Sequence, residues 1–158
     1  MNKAPIAKLP ADFNLADAKW FHYSGGPKFD YPIDYAVSVV DADVAAGRVD
    51  FLSRWAPNSF CHYHRHLGTT MAAVLEGEQH LTETTEHETV TKVRSAGFSG
   101  QVPDGEQHME RAGADGLTML FSVQSPDGRL FEVLDAAGDV LTAATIAEFL
   151  EQTMAPVS

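Results

Sequence analysis

Two segments of this chain carry side chains suited to holding a metal ion. The first reads Phe60-Cys61-His62-Tyr63-His64-Arg65-His66-Leu67-Gly68-Thr69-Thr70. On a β-strand, residues two apart face the same side. His62, His64 and His66 are therefore expected on one face, with Cys61, Tyr63 and Arg65 on the other. Two neutral imidazoles standing side by side at that spacing can chelate one ion. The second segment runs from Gly97 to His108 and delivers a histidine just after the tight turn Pro103-Asp104-Gly105. Taken singly, a His-x-His pair or a lone histidine is more often a surface or core residue than a ligand. The case rests on the two segments together.

The elements that must position these histidines read as short strands. Alternating or β-branched apolar residues predict strands over 35–40, 48–55, 70–75, 79–84, 89–93, 117–124, 129–134 and 140–142. Turn chemistry separates them at 41–47, at Pro57-Asn58, at Glu76-Gly77-Glu78, at 85–88, at Pro126-Asp127-Gly128 and at 136–139. A short helical turn is expected over 15–20 behind Asn14 as its cap, and a loop at 24–27. Ile146, Phe149, Leu150 and Met154 fall at helical spacing and predict one C-terminal helix. Many short strands with one terminal helix imply an all-β sandwich or barrel, and a small barrel can hold one ligand at its mouth.

Composition sets the outer limits. The chain has 158 residues, 44% hydrophobic and 21% charged, which fits one compact domain. Eleven basic against 22 acidic residues give a formal net charge of −11, which argues against nucleic acid or an anionic membrane as partner. Cys61 is the single cysteine, so neither an intrachain disulfide nor a cysteine zinc cage can form. No apolar run is long enough to span a bilayer and residues 1–10 lack the apolar core of a signal peptide, so a cytoplasmic protein is expected.

The two histidine segments together resemble the two motifs of the cupin superfamily, G-x5-H-x-H-x3,4-E-x6-G and G-x5-P-x-G-x2-H-x3-N. Registered on Gly77, the first motif places its histidines at His64 and His66 and its leading glycine at Asn58. Asparagine is the next best residue for a left-handed backbone position, so that replacement is mild. The second motif matches Gly97, Pro103, Gly105 and His108, with Ala112 at its final Asn. The resemblance covers about residues 35–142 and implies a double-stranded β-helix, or jelly-roll barrel. Residues 1–34 would then form an extension packing on the barrel or on a partner subunit, and 143–158 the C-terminal helix and tail.

What the resemblance implies about the site is specific. The metal ligands would be His64, His66 and His108. The motif glutamate falls at Thr69 or Thr70, neither of which is a good ligand, so the expected centre is three neutral imidazoles. Such a centre keeps the full charge of a divalent ion and favours an anionic, bidentate substrate. The stretches His64-Arg65-His66-Leu67-Gly68, Leu75-Glu76-Gly77 and 133–140 look like the small three-histidine cupin dioxygenases that include dihydroxyacetophenone dioxygenase and acetylacetone-cleaving dioxygenase. That group implies Fe(II), O2 and cleavage of a carbon–carbon bond next to a carbonyl in a small diketone or hydroxy(aryl)ketone. Three imidazoles would also suit Zn, Ni, Co or Mn. Relatives in that group carry a glutamate just before the motif proline, where this chain has Val102; Glu106 and Gln101 are the available substitutes for orienting a ligand histidine.

Other residues have plainer readings. His62 would line the pocket or, more simply, sit at a strand end near solvent, and a rival register would use His62 and His64 as the ligand pair. Cys61 is expected to point away from the metal as a packed thiol. Phe51, Trp55, Met71, Phe98, Met119 and Phe121 are pocket walls or core. His80 and His87 are expected to be exposed. Two further functions compete with the dioxygenase: a non-catalytic metal-binding sensor, and a metal-dependent isomerase or lyase. A homodimer is expected, because an isolated barrel of this kind leaves sheet edges uncovered.

Overall fold

The computed structural model describes residues 15–24, 33–84 and 86–154. Asn14 and most of the loop at 24–27 lie outside the described residues. A 3-10 turn at Leu15–Asp17 leads into ten strands: β1 (Phe21–Ser24), β2 (Asp34–Asp43), β3 (Arg48–Trp55), β4 (Phe60–His66), β5 (Thr69–Thr84), β6 (Thr89–Ser95), β7 (Ser99–Val102), β8 (Gln107–Gln124), β9 (Arg129–Leu134) and β10 (Val140–Thr145). The helix α1 (Ile146–Met154) follows. The strands pair antiparallel in the order β1-β2-β3-β8-β4-β9-β10, and β5 joins β8 on its other side while carrying β6 and β7. The result is a curled all-β sheet with one terminal helix, as expected.

β8 is the spine of the sheet. Its first half pairs with β4 through Arg111 to Gln107, and its second half pairs with β3 through Leu117 to Gln124. β5 runs along both halves. Two expectations change here. The segments 70–75 and 79–84 are one continuous strand, and the strand at 117–124 extends back to Gln107. Gly77 explains the first. It takes φ +79 and makes a bulge in the ladder rather than a reversal, and the register shifts on either side of it. A Cβ at Gly77 would lie 2.1 Å from the Gly116 carbonyl oxygen, so the two strands approach too closely there for any other residue. β1, which carries little strand signal, adds one further strand against β2.

The inner face of the sheet holds two apolar clusters. One gathers Trp55, Ala72, Val74, Val102, Ala112, Leu117, Met119 and Phe121. The other joins Val37, Val49, Val123 and Leu130 to Ile146 and Phe149 of α1. The helix starts cleanly because Thr145 and Glu148 cap each other. The Glu148 backbone N–H donates to Thr145 Oγ1 at 3.1 Å, and that hydroxyl donates to Glu148 Oε1 at 3.0 Å.

Candidate metal centre

The ends of β4 and β8 meet at the mouth of the curled sheet. His64 and His66 alternate on β4, and His108 stands directly opposite His64 on β8. All three imidazoles turn their Nε2 atoms to one point. His66 Nε2 lies 2.9 Å from His64 Nε2 and 2.9 Å from His108 Nε2. Glu110, two residues beyond His108 and on the same face of β8, brings Oε1 to 2.9 Å from His108 Nε2 and 3.6 Å from His64 Nε2. One ligand atom from each of the four residues lies within 4.8 Å of every other.

The outward nitrogens are held as well. His64 Nδ1 donates to the backbone carbonyl of His62 at 2.7 Å. His108 Nδ1 lies 3.2 Å from Glu106 Oε1, and His66 Nδ1 lies 3.5 Å from Thr70 Oγ1. The carbonyl and the carboxylate are acceptors, so they favour a proton on Nδ1 of His64 and His108 and leave those Nε2 lone pairs free for a ligand bond. Thr70, at the position of the missing motif glutamate, therefore braces a histidine instead of supplying a ligand. Glu106 takes the orienting role that Val102 cannot.

These donors fit a divalent ion. With metal–nitrogen bonds of about 2.1 Å, two ligands at right angles stand about 3.0 Å apart, close to the observed nitrogen–nitrogen spacings. Glu110 Oε2 is buried without a hydrogen-bond partner among the described residues, an arrangement that is costly unless something cationic satisfies it. The electrostatics agree. Burial pulls His64 and His108 down, yet both are pushed up to about 9, His64 by Cys61 and Glu110, His108 by Glu106 and Glu110. Burial and the two neighbouring histidines hold His66 well below its ordinary value. Burial raises Glu110, but its contacts with His108 and His64 hold it well below the usual carboxylate range.

The geometry corrects three expectations. The centre is His-His-His-Glu in its donors, not three imidazoles alone, because Glu110 joins it. Cys61 does not point away. A bulge between Cys61 and His64 breaks the simple alternation on β4, so Cys61 faces inward, 3.8 Å from His64 Nδ1. For the same reason His62 leaves the ligand face. It is buried, but it is not a wall of the cavity that His64 and His66 line. The rival pair His62 and His64 therefore does not converge, whereas His64, His66 and His108 do.

Next to the four donors lies a cavity of about 90 Å3. Tyr35, Phe51, Trp55, Phe121, Phe131 and Phe149 supply much of its wall. Met119 is core, and Phe98 packs on that core rather than lining the cavity. Arg65 turns outward to Glu132 at 2.9 Å. His87 is exposed, as expected, whereas His80 is half-buried with Nδ1 3.2 Å from Arg111 Nη2. Among the described residues, no helix is long and apolar enough to cross a membrane.

No family model matches the chain, and no curated protein matches it in sequence. Solved structures do match. An RmlC-like cupin protein from Ralstonia eutropha JMP134 aligns with a TM-score of 0.70 at 15% identity, over 95% of this chain and 85% of that one. An acetylacetone dioxygenase from Acinetobacter johnsonii aligns with a TM-score of 0.70 at 14% identity, over 98% and 97%. A cupin 2 conserved barrel domain protein from Rhodopseudomonas palustris aligns with a TM-score of 0.63 at 15% identity, over 77% and 81%. The inward-facing His64, His66, His108 and Glu110 sit at the mouth of the same kind of curled sheet, and the chain has the cupin fold, similar in structure to an acetylacetone dioxygenase along nearly its whole length.

Proposed function

We propose that this cupin is a mononuclear Fe(II) dioxygenase that cleaves a carbon–carbon bond next to a carbonyl in a small diketone or hydroxy(aryl)ketone. The observation that carries the proposal is the convergence of His64, His66, His108 and Glu110 beside an apolar cavity. Similarity in structure to an acetylacetone dioxygenase supports it. When bound, Fe(II) would supply Lewis acidity toward the substrate oxygens and one-electron chemistry toward O2.

The chain's own residues have definite tasks. His64, His66, His108 and Glu110 would hold the ion. The His62 carbonyl and Glu106 keep His64 and His108 in the tautomer that ligation needs, and Thr70 braces His66. The aromatic walls exclude water and hold the substrate body. Glu110 lowers the charge of the centre by one relative to three imidazoles. Oε2 of that carboxylate has no hydrogen-bond partner among the described residues and is available to a group of the substrate as it binds. The proposal includes a homodimer, since the edges of β1 and β10 end the sheet order.

Glu110 also favours a second reading. A donor set of three histidines and one carboxylate equally serves a redox-neutral isomerase or lyase. Oxygen separates the two. Iron-loaded protein is offered diketones and hydroxyaryl ketones in an oxygen electrode. Stoichiometric O2 uptake with substrate loss supports the dioxygenase. Turnover that continues without O2 supports the isomerase or lyase, and metal binding with no turnover at all supports a sensor.

A further inference from the structure

The mouth of the cavity is explained by the four donors; its far wall is not. Trp55 is 4% exposed, and its indole Nε1 is buried with no hydrogen-bond partner among the described residues. A buried indole N–H ordinarily finds an acceptor, and leaving it without one is costly. Trp55 also borders a second, more polar hollow with Arg54, Glu76 and Asp115. Its ring, however, packs against Tyr35 at 5.7 Å and edge-on to Phe121 at 6.3 Å. Both of those residues wall the cavity beside the donors, and neither borders the second hollow.

We infer that Trp55 is a specificity-determining residue whose N–H donates to an acceptor oxygen of the cavity's ligand. This deepens the reading above by naming the substrate class. About 90 Å3 has room for roughly six to nine waters, and so for a molecule of a similar number of non-hydrogen atoms. Glu110 is the sole carboxylate among the cavity's described walls, and no lysine or arginine is among them. Away from the metal donors, a carboxylate or phosphate on the ligand would meet no lysine or arginine. The ligand is a compact, uncharged molecule with an apolar, preferably aromatic body and an acceptor oxygen placed for Trp55. A site that must satisfy a buried donor rejects the analogue lacking the acceptor.

The test needs no turnover. Acetophenone and ethylbenzene have nearly the same shape, and only the first has an acceptor. Each is titrated into the metal-free and the zinc-loaded chain while the two indole N–H resonances are followed by NMR. Trp20, which lies under the Arg54 guanidinium at 4.5 Å, is the internal control. The expected result is that acetophenone binds about tenfold more tightly than ethylbenzene, the worth of one hydrogen bond. It should move the Trp55 resonance and leave Trp20 in place, and Trp55→Phe should abolish the preference. If the variant fails to fold, the resonance shift in the native chain decides alone. An unmoved Trp55 resonance, a preference that survives in Trp55→Phe, or no binding of acetophenone overturns the inference. Absence of O2 uptake would sink the dioxygenase reading and leave this one standing, so the two failures are distinguishable.

Discussion

Glu110 lies directly opposite Cys61 where β4 pairs with β8, one step from the facing pair His64 and His108. Between those two pairs β4 carries His62 and Tyr63, whereas β8 carries only Met109. The extra residue reverses which side of β4 faces inward. Cys61 and His64 are an odd number of residues apart, yet both line the cavity. The bulge therefore sets the donor group: it lets one strand present Cys61, His64 and His66 to Glu110 and His108 on the other.

Glu110 is expected to act as a ligand. Glu110→Ala should weaken metal binding by more than the ~10–100-fold typical of losing an orienting partner. Glu110→Gln, which keeps an oxygen, should recover part of the loss. Competition against a chelator of known affinity measures both. Equal affinity in wild type and Glu110→Ala would remove Glu110 from the centre.

Glu106 should behave differently, because it meets His108 at the outward nitrogen, away from the point where the four donors converge. Glu106→Ala is expected to lower metal affinity by ~10–100-fold while leaving the metal-to-protein ratio at saturation unchanged. A reduced ratio would instead make Glu106 part of the donor set.

Much of this arrangement is legible in the sequence, and the illegible parts share a cause. The bounds of β3 and β9 match the reading at 48–55 and 129–134 because alternation and turn residues are local signals. Asn58, expected at a left-handed position, has φ 61. The bulge in β4 is set by its pairing with β8 more than forty residues away, and no local pattern announces it. Simple alternation therefore places Cys61 and His62 on the wrong faces. Glu110 had a signal: His108-Met109-Glu110 repeats the two-residue spacing of His64-Arg65-His66. It is hidden while the segment after Gly105 is taken as the end of a turn rather than the start of an 18-residue strand.

Gly77 joins the two halves of β5 and should tolerate no side chain. A residue with a Cβ costs ~1–3 kcal/mol for its backbone conformation alone, and the approach of 2.1 Å to the Gly116 oxygen adds to that. Gly77→Ala should lower stability by at least this amount in urea unfolding. A change within about 0.5 kcal/mol, the range of ordinary surface substitutions, would contradict the bulge geometry.

Tyr23 stacks on Tyr35 at 5.0 Å, and burial raises its phenol to about 12. The folded value lies above the unfolded one, so the fold favours the neutral form. That stabilisation is fully present below about pH 10 and is lost as pH rises through the folded value. Near-ultraviolet titration of phenolate should find Tyr23 un-ionised at about pH 11 in the native protein. The signal should appear at ordinary pH once the chain is denatured, and the late-titrating phenolate should be lost when Tyr23 is replaced by phenylalanine. Ionisation of all four tyrosines at the ordinary value in the folded chain would refute it.

The central claim is that His64, His66, His108 and Glu110 together hold one divalent ion. Metal content of the freshly purified chain, measured beside His108→Ala, tests it most directly. The account predicts about one ion per chain, iron on the dioxygenase reading, lost in the folded variant. No bound metal, or a metal that remains after His108 is removed, would contradict it.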